Sequence, residues 1–68
     1  MPQYIVNKAA EDNGDHEVHV ETCVNLPRED NRDYIGEFDN CADAVEKARV
    51  TYPSANGCAH CAKECHTT

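Results

Sequence analysis

The chain has 68 residues, with 13 acidic side chains against 6 basic ones and a formal net charge of −7 at pH 7. That balance argues against duplex nucleic acid as a partner, because phosphate binding is driven by Lys and Arg releasing counterions, and the nearest thing to a basic patch is Arg28 with Arg32. A domain this small buries only about 60% of its unfolded surface, so a core drawn from Ile5, Val6, Val18, Val20, Leu26, Ile35, Phe38, Val45 and Val50, helped by Tyr4, Tyr34 and Tyr52, is thin and calls for a staple.

Tyr4 to Lys8 reads as a short strand, and His16 to Val20 as a second, with Val18 and Val20 alternating against Glu17 and His19. The two are expected to pair as a hairpin through the polar stretch Ala9 to Asp15, where Asn13-Gly14 tolerates positive φ. Alternation places His19 opposite the valines. Cys23 falls on the same face as His19 if the extended conformation continues. Leu26-Pro27 marks a turn, Arg28 to Asp33 a solvated loop, and Tyr34 to Phe38 a third strand weakened by Gly36.

Asn40 with Asp43 three positions on has the form of a helix N-cap, and a helix is expected from about Cys41 to Tyr52. Its apolar stripe is Cys41, Val45, Ala48 and Tyr52, with Cys41 read as a small buried hydrophobe, and Pro53 ends it. Residues 53–57 then form a loop delivering Cys58, and Cys58 to His66 reads as a Cys/His-rich tail too polar for a core element. The expected fold is α+β: a small antiparallel β-sheet of about three strands with one α-helix, in a single domain over residues 1–68.

The residues that carry chemistry are His19-x3-Cys23 and Cys58-x2-Cys61. Together they offer one neutral imidazole and three thiolates, a complete set for tetrahedral Zn²⁺ held by sulfur at about 2.3 Å. Structural zinc contributes roughly 10–16 kcal/mol of apparent binding energy in zinc-finger peptides, enough to decide whether a chain this small folds. Four protein ligands also close the coordination sphere, which makes such a site structural and argues against an enzyme. Cys65 and His66 supply a second, local set with Cys58 and Cys61, and spare ligands of that kind would suit metal handling. Cys58-x2-Cys61 as a thiol-redox pair is the weaker reading, since it follows a Gly loop instead of opening a helix after a strand.

Two constellations fail. His16-Glu17-Val18-His19 spaces its histidines three apart on an expected strand, whereas a zincin needs them four apart on a helix. Glu11-Asp12 and Glu29-Asp30 read as solubilising loop charge. Met1 to Lys8 is too short and polar for a secretory leader, and no segment approaches membrane-spanning length. The expectation is a cytoplasmic chain with reduced cysteines, and five cysteines would in any case leave a disulfide framework one thiol over. A metal-free domain stabilised by disulfides is the remaining alternative.

The pieces His19-Val20-Glu21-Thr22-Cys23, Gly36 to Val45 and Gly57-Cys58-Ala59-His60-Cys61 together resemble the small zinc-binding fold of the N-terminal domain of Ada, the DNA alkylation-repair protein. The resemblance implies a structural zinc held by His19, Cys23, Cys58 and Cys61. In Ada all four ligands are cysteines and the first accepts the methyl group. Here that position is His19, so methyl transfer is not implied. With Tyr4-Ile5-Val6-Asn7-Lys8 near its start, Asn13 to His19 in the hairpin and Glu64-Cys65-His66-Thr67 at its end, the chain is also similar to a group of short bacterial proteins of unknown function sometimes described as excinuclease ATPase subunit-like. It contains no G-x-x-x-x-G-K-[ST] loop to cradle phosphates, which removes the ATPase expectation. The sequence thus leads to an interaction module with one structural Zn²⁺ and a protein partner.

Overall fold

The computed structural model describes residues 1–67. Its elements are β1 (Gln3–Asn7), β2 (His16–Val20), β3 (Arg32–Glu37), α1 (Cys41–Thr51) and β4 (Ala55–Gly57), with short 3-10 turns at Glu29–Asn31 and Lys63–Cys65. The fold is α+β, as the sequence predicts, but the sheet has four strands in the order β3-β1-β2-β4 and is mixed. β1 pairs antiparallel with β2 and β3, whereas β4 runs parallel to β2, matching His16 with Ala55 and Val18 with Gly57. A parallel neighbour needs a crossover connection, and β3 with α1 provides it.

The β1–β2 hairpin turns where Asn13-Gly14 predicts. Gly14 takes φ +90°, and Asn13 Oδ1 accepts from the Asp15 amide at 3.0 Å. Gly36 has a more specific role than weakening its strand. It sits at φ +114° where the β1–β3 register shifts between Tyr4 and Ile5, so the glycine forms the irregularity that bends the sheet edge.

Tyr4, Val6 and Val18 share one buried cluster with Ala44, Val45 and Ala48 of α1. The helix starts as expected, with Asn40 Oδ1 accepting from the Asp43 amide at 2.9 Å. It stops at Thr51, one residue short of the expected end, and Tyr52 instead docks on the sheet by donating its hydroxyl to Asp33 Oδ2 at 3.1 Å. Phe38 closes one end of the core edge-on to Tyr4, with ring centroids 6.1 Å apart. Two expected core residues lie outside it: Val50 is 79% exposed, on the solvent side of α1, and Tyr34 is 53% exposed.

The larger departures lie after the helix. Residues expected to form a loop and a polar tail are packed: Ala55, Asn56, Gly57, Cys58 and Ala62 are all buried. Gly57 makes this packing possible, because a Cβ there would stand 2.8 Å from the Ala62 carbonyl oxygen and from two Cys65 atoms. The tail is bonded at its end as well. Asn56 Nδ2 donates to Asp15 Oδ2 at 3.0 Å and to the Thr67 carbonyl, and His66 Nδ1 lies 2.9 Å from the Gly57 carbonyl.

Cys41 and Cys65 form a disulfide joining the start of α1 to the second 3-10 turn. This corrects two expectations: Cys41 is a bridging residue as well as a buried one, and Cys65 is not a spare thiol. The odd cysteine count resolves as one bridge and three free thiols, Cys23, Cys58 and Cys61.

Candidate metal centre

The three free thiols and His19 converge where the β2 edge runs past the end of β4. His19 lies in β2 opposite Ile5 and is almost fully buried. Cys23 does not arrive by continued extension. Glu21-Thr22 form a turn, and the Cys23 amide folds back onto the Val20 carbonyl at 3.0 Å. Cys58 arrives from the other side of the chain: its amide extends the β2–β4 pairing by donating to the Val18 carbonyl at 2.9 Å. The turn from Cys58 to Ala62, closed by the Ala62 amide on the Cys58 carbonyl at 2.9 Å, then swings Cys61 back over β2.

The ligand atoms of His19, Cys23, Cys58 and Cys61 all lie within 4.8 Å of one another. Cys23 Sγ and Cys58 Sγ are 3.9 Å apart, and Cys61 Sγ is 3.8 Å from His19 Nδ1. A tetrahedral ion with sulfur at about 2.3 Å and nitrogen at about 2.0 Å would hold such pairs roughly 3.8 and 3.5 Å apart. These two pairs therefore stand within a few tenths of an ångström of tetrahedral spacing, and the group as a whole, spread over no more than 4.8 Å, would contract by up to about 1 Å around one ion. The alternative local set is not assembled, because Cys65 is bridged to Cys41 and His66 Nδ1 faces a backbone carbonyl.

Each sulfur also receives one backbone amide. Val20 donates to Cys61, Asn25 to Cys23 and His60 to Cys58, each at 3.4 Å. Amides aimed at sulfur stabilise the thiolate, the form that binds metal. Spacing of the ligands in sequence gives no sign of these donors, since they come from backbone shape. Asn25 and His60 stand two residues after their cysteines, and Val20 is the edge amide that β4 leaves uncovered.

Burial shapes the protonation of the site. It pulls the His19 imidazole below its ordinary range, which favours the neutral, ligating form. It pushes the Cys61 thiol well above the ordinary range, helped by hydrogen bonding to Cys23 and Cys58. Three crowded sulfurs resist ionising together, and a divalent cation among them offsets two of the three negative charges.

The sign of the pH dependence follows. Metal binds the thiolate form, so every proton a thiol carries in the free state leaves on binding; up to three protons per ion would be released and affinity should rise with pH. The slope approaches about a thousandfold per pH unit where all three thiols are protonated in the free state. Burial holds the His19 imidazole below its ordinary range, so its competition for protons sets in only at lower pH than for a free imidazole, where the fall steepens. Competition titrations from pH 6 to 9 check this, and a flat profile would exclude thiolate ligation.

Neither a family model, nor a curated protein, nor a solved structure matches the chain. The fold and site define it as a small α+β domain with a Cys/His group able to hold a metal ion. Among the described residues no helix is long and apolar enough to cross a membrane.

Proposed function

We propose that His19, Cys23, Cys58 and Cys61 hold one structural Zn²⁺ and that the domain they stabilise works as a protein-binding module. The observation that carries this reading is the gathering of four donors from β2, the turn after it, and the segment after β4 into one group. Zinc suits three thiolates and an imidazole better than hard cations, which prefer oxygen. Four protein ligands leave no position for water or substrate, which supports a non-catalytic role. A net charge of −7 favours a protein partner over nucleic acid. The Ada-like spacing of the ligands points the same way for the metal.

Cytoplasmic residence belongs to this reading, because zinc thiolates require reduced sulfur. The Cys41–Cys65 bridge argues the other way, and the redox state of that pair in protein taken from cells decides between them.

Native mass of the purified protein, with and without a chelator and alongside a far-UV spectrum, tests the metal. The expected result is a mass increase of one zinc, lost together with folded structure on chelation. Protein that is folded and metal-free after purification in zinc-containing buffer would overturn the assignment.

A further inference from the structure

We propose that Glu17 is a positioning residue for the metal, accepting the Nε2 proton of His19 and so fixing which nitrogen of the ring faces the ion. This rests on the metal reading above. Strand alternation puts residues 17 and 19 of β2 on the same face. His19 Nδ1 is the nitrogen turned toward Cys61 Sγ, at 3.8 Å, and it is therefore the ligating atom. Nε2, on the far side of the ring, lies 3.7 Å from Glu17 Oε1.

The chemistry of the ring then makes a demand. A neutral imidazole carries one proton, so coordination through Nδ1 puts that proton on Nε2. His19 is only 1% exposed, and a buried N–H without an acceptor is costly. Glu17 offers a carboxylate oxygen within ion-pair reach of it. Its side chain is 25% exposed, which leaves it free to close the remaining distance from ion-pair reach to a hydrogen bond. Metal-bound histidines commonly donate their other ring N–H to a carboxylate, which fixes the tautomer and raises the basicity of the ligand. Here the spacing Glu17-x-His19 builds that pair within a single strand.

The test compares wild type with Glu17→Ala and Glu17→Gln at one neutral pH. Zinc affinity is read by competition with a chromophoric chelator, and the His19 ring nitrogens are read by ¹⁵N NMR of the zinc-loaded proteins. Glu17→Ala should bind zinc about 10–100-fold more weakly. Glu17→Gln, which keeps an acceptor oxygen but not the charge, should recover part of the loss. In both variants the Nε2–H resonance should move while Nδ1 remains the metal-bound nitrogen. If wild type binds zinc and Glu17→Ala binds it equally well with an unmoved Nε2 resonance, the role of Glu17 is excluded and the metal site stands. If wild type binds no zinc, both fail together. Should Glu17→Ala not fold, the ring resonance of Glu17→Gln decides: an unmoved signal excludes the contact.

Discussion

Cys58→Ser is expected to lose both the metal and the folded state at neutral pH. Cys58 is 2% exposed and sits where three demands meet: its sulfur is 3.9 Å from Cys23 Sγ, its amide extends the β2–β4 pairing, and its carbonyl closes the turn that delivers Cys61. Serine keeps the backbone and nearly the size, but its hydroxyl stays protonated at neutral pH and is a poor zinc ligand. A core of this size supplies only about 3–5 kcal/mol, whereas structural zinc supplies roughly 10–16 kcal/mol of apparent binding energy. Losing one ligand of four therefore removes more stability than the remaining fold holds. Metal content and far-UV spectra of Cys58→Ser, beside Val24→Ala as a control at an 89% exposed position, check the expectation. A folded Cys58→Ser that retains one equivalent of zinc would show that Cys58 is not a ligand.

The front half of the molecule was legible because its signals are local. Val18 and Val20 alternate against Glu17 and His19, Asn13-Gly14 names its own turn, and Asn40 with Asp43 names the start of α1. The grouping of His19, Cys23, Cys58 and Cys61 was legible for a different reason: few combinations of Cys and His spacing suit a tetrahedral ion.

What stayed hidden depends on contacts distant in sequence. Ala55-Asn56-Gly57 has neither the length nor the β-branched residues of a strand, and it becomes β4 because β2 offers an open edge. Gly57 reads as loop glycine, yet its lack of a side chain is what lets residues 62–65 pack over β4. The turn at Glu21-Thr22 carries neither glycine nor proline, so the folding back of Cys23 left no mark in the sequence. The pairing of Cys41 with Cys65 is likewise a matter of topology, set by the tail crossing the start of α1.

That bridge leads to the second large effect. Removing it with Cys41→Ala and Cys65→Ala together is expected to cost about 3–4 kcal/mol, the chain-entropy value for a loop whose ends are 24 residues apart. Replacing both partners avoids leaving an unpaired reactive thiol. Zinc stoichiometry should stay at one, since the four proposed ligands are outside the bridge. The effect should appear as a lower urea midpoint of the metal-loaded protein. A thiol count gives an independent check: after chelation and denaturation without reductant, three thiols per chain should react, those of Cys23, Cys58 and Cys61. Five reactive thiols in protein never exposed to reductant would show that the bridge does not form, and an unchanged midpoint in the double variant would show that it contributes nothing to stability. The two staples act on different steps of folding. The bridge restricts the unfolded chain by tying the tail to α1, while the proposed metal would join β2 to the segment after β4 only once those parts have met. Zinc loading should therefore raise the urea midpoint of the double variant as it does that of the wild type, because its contribution does not depend on the bridge.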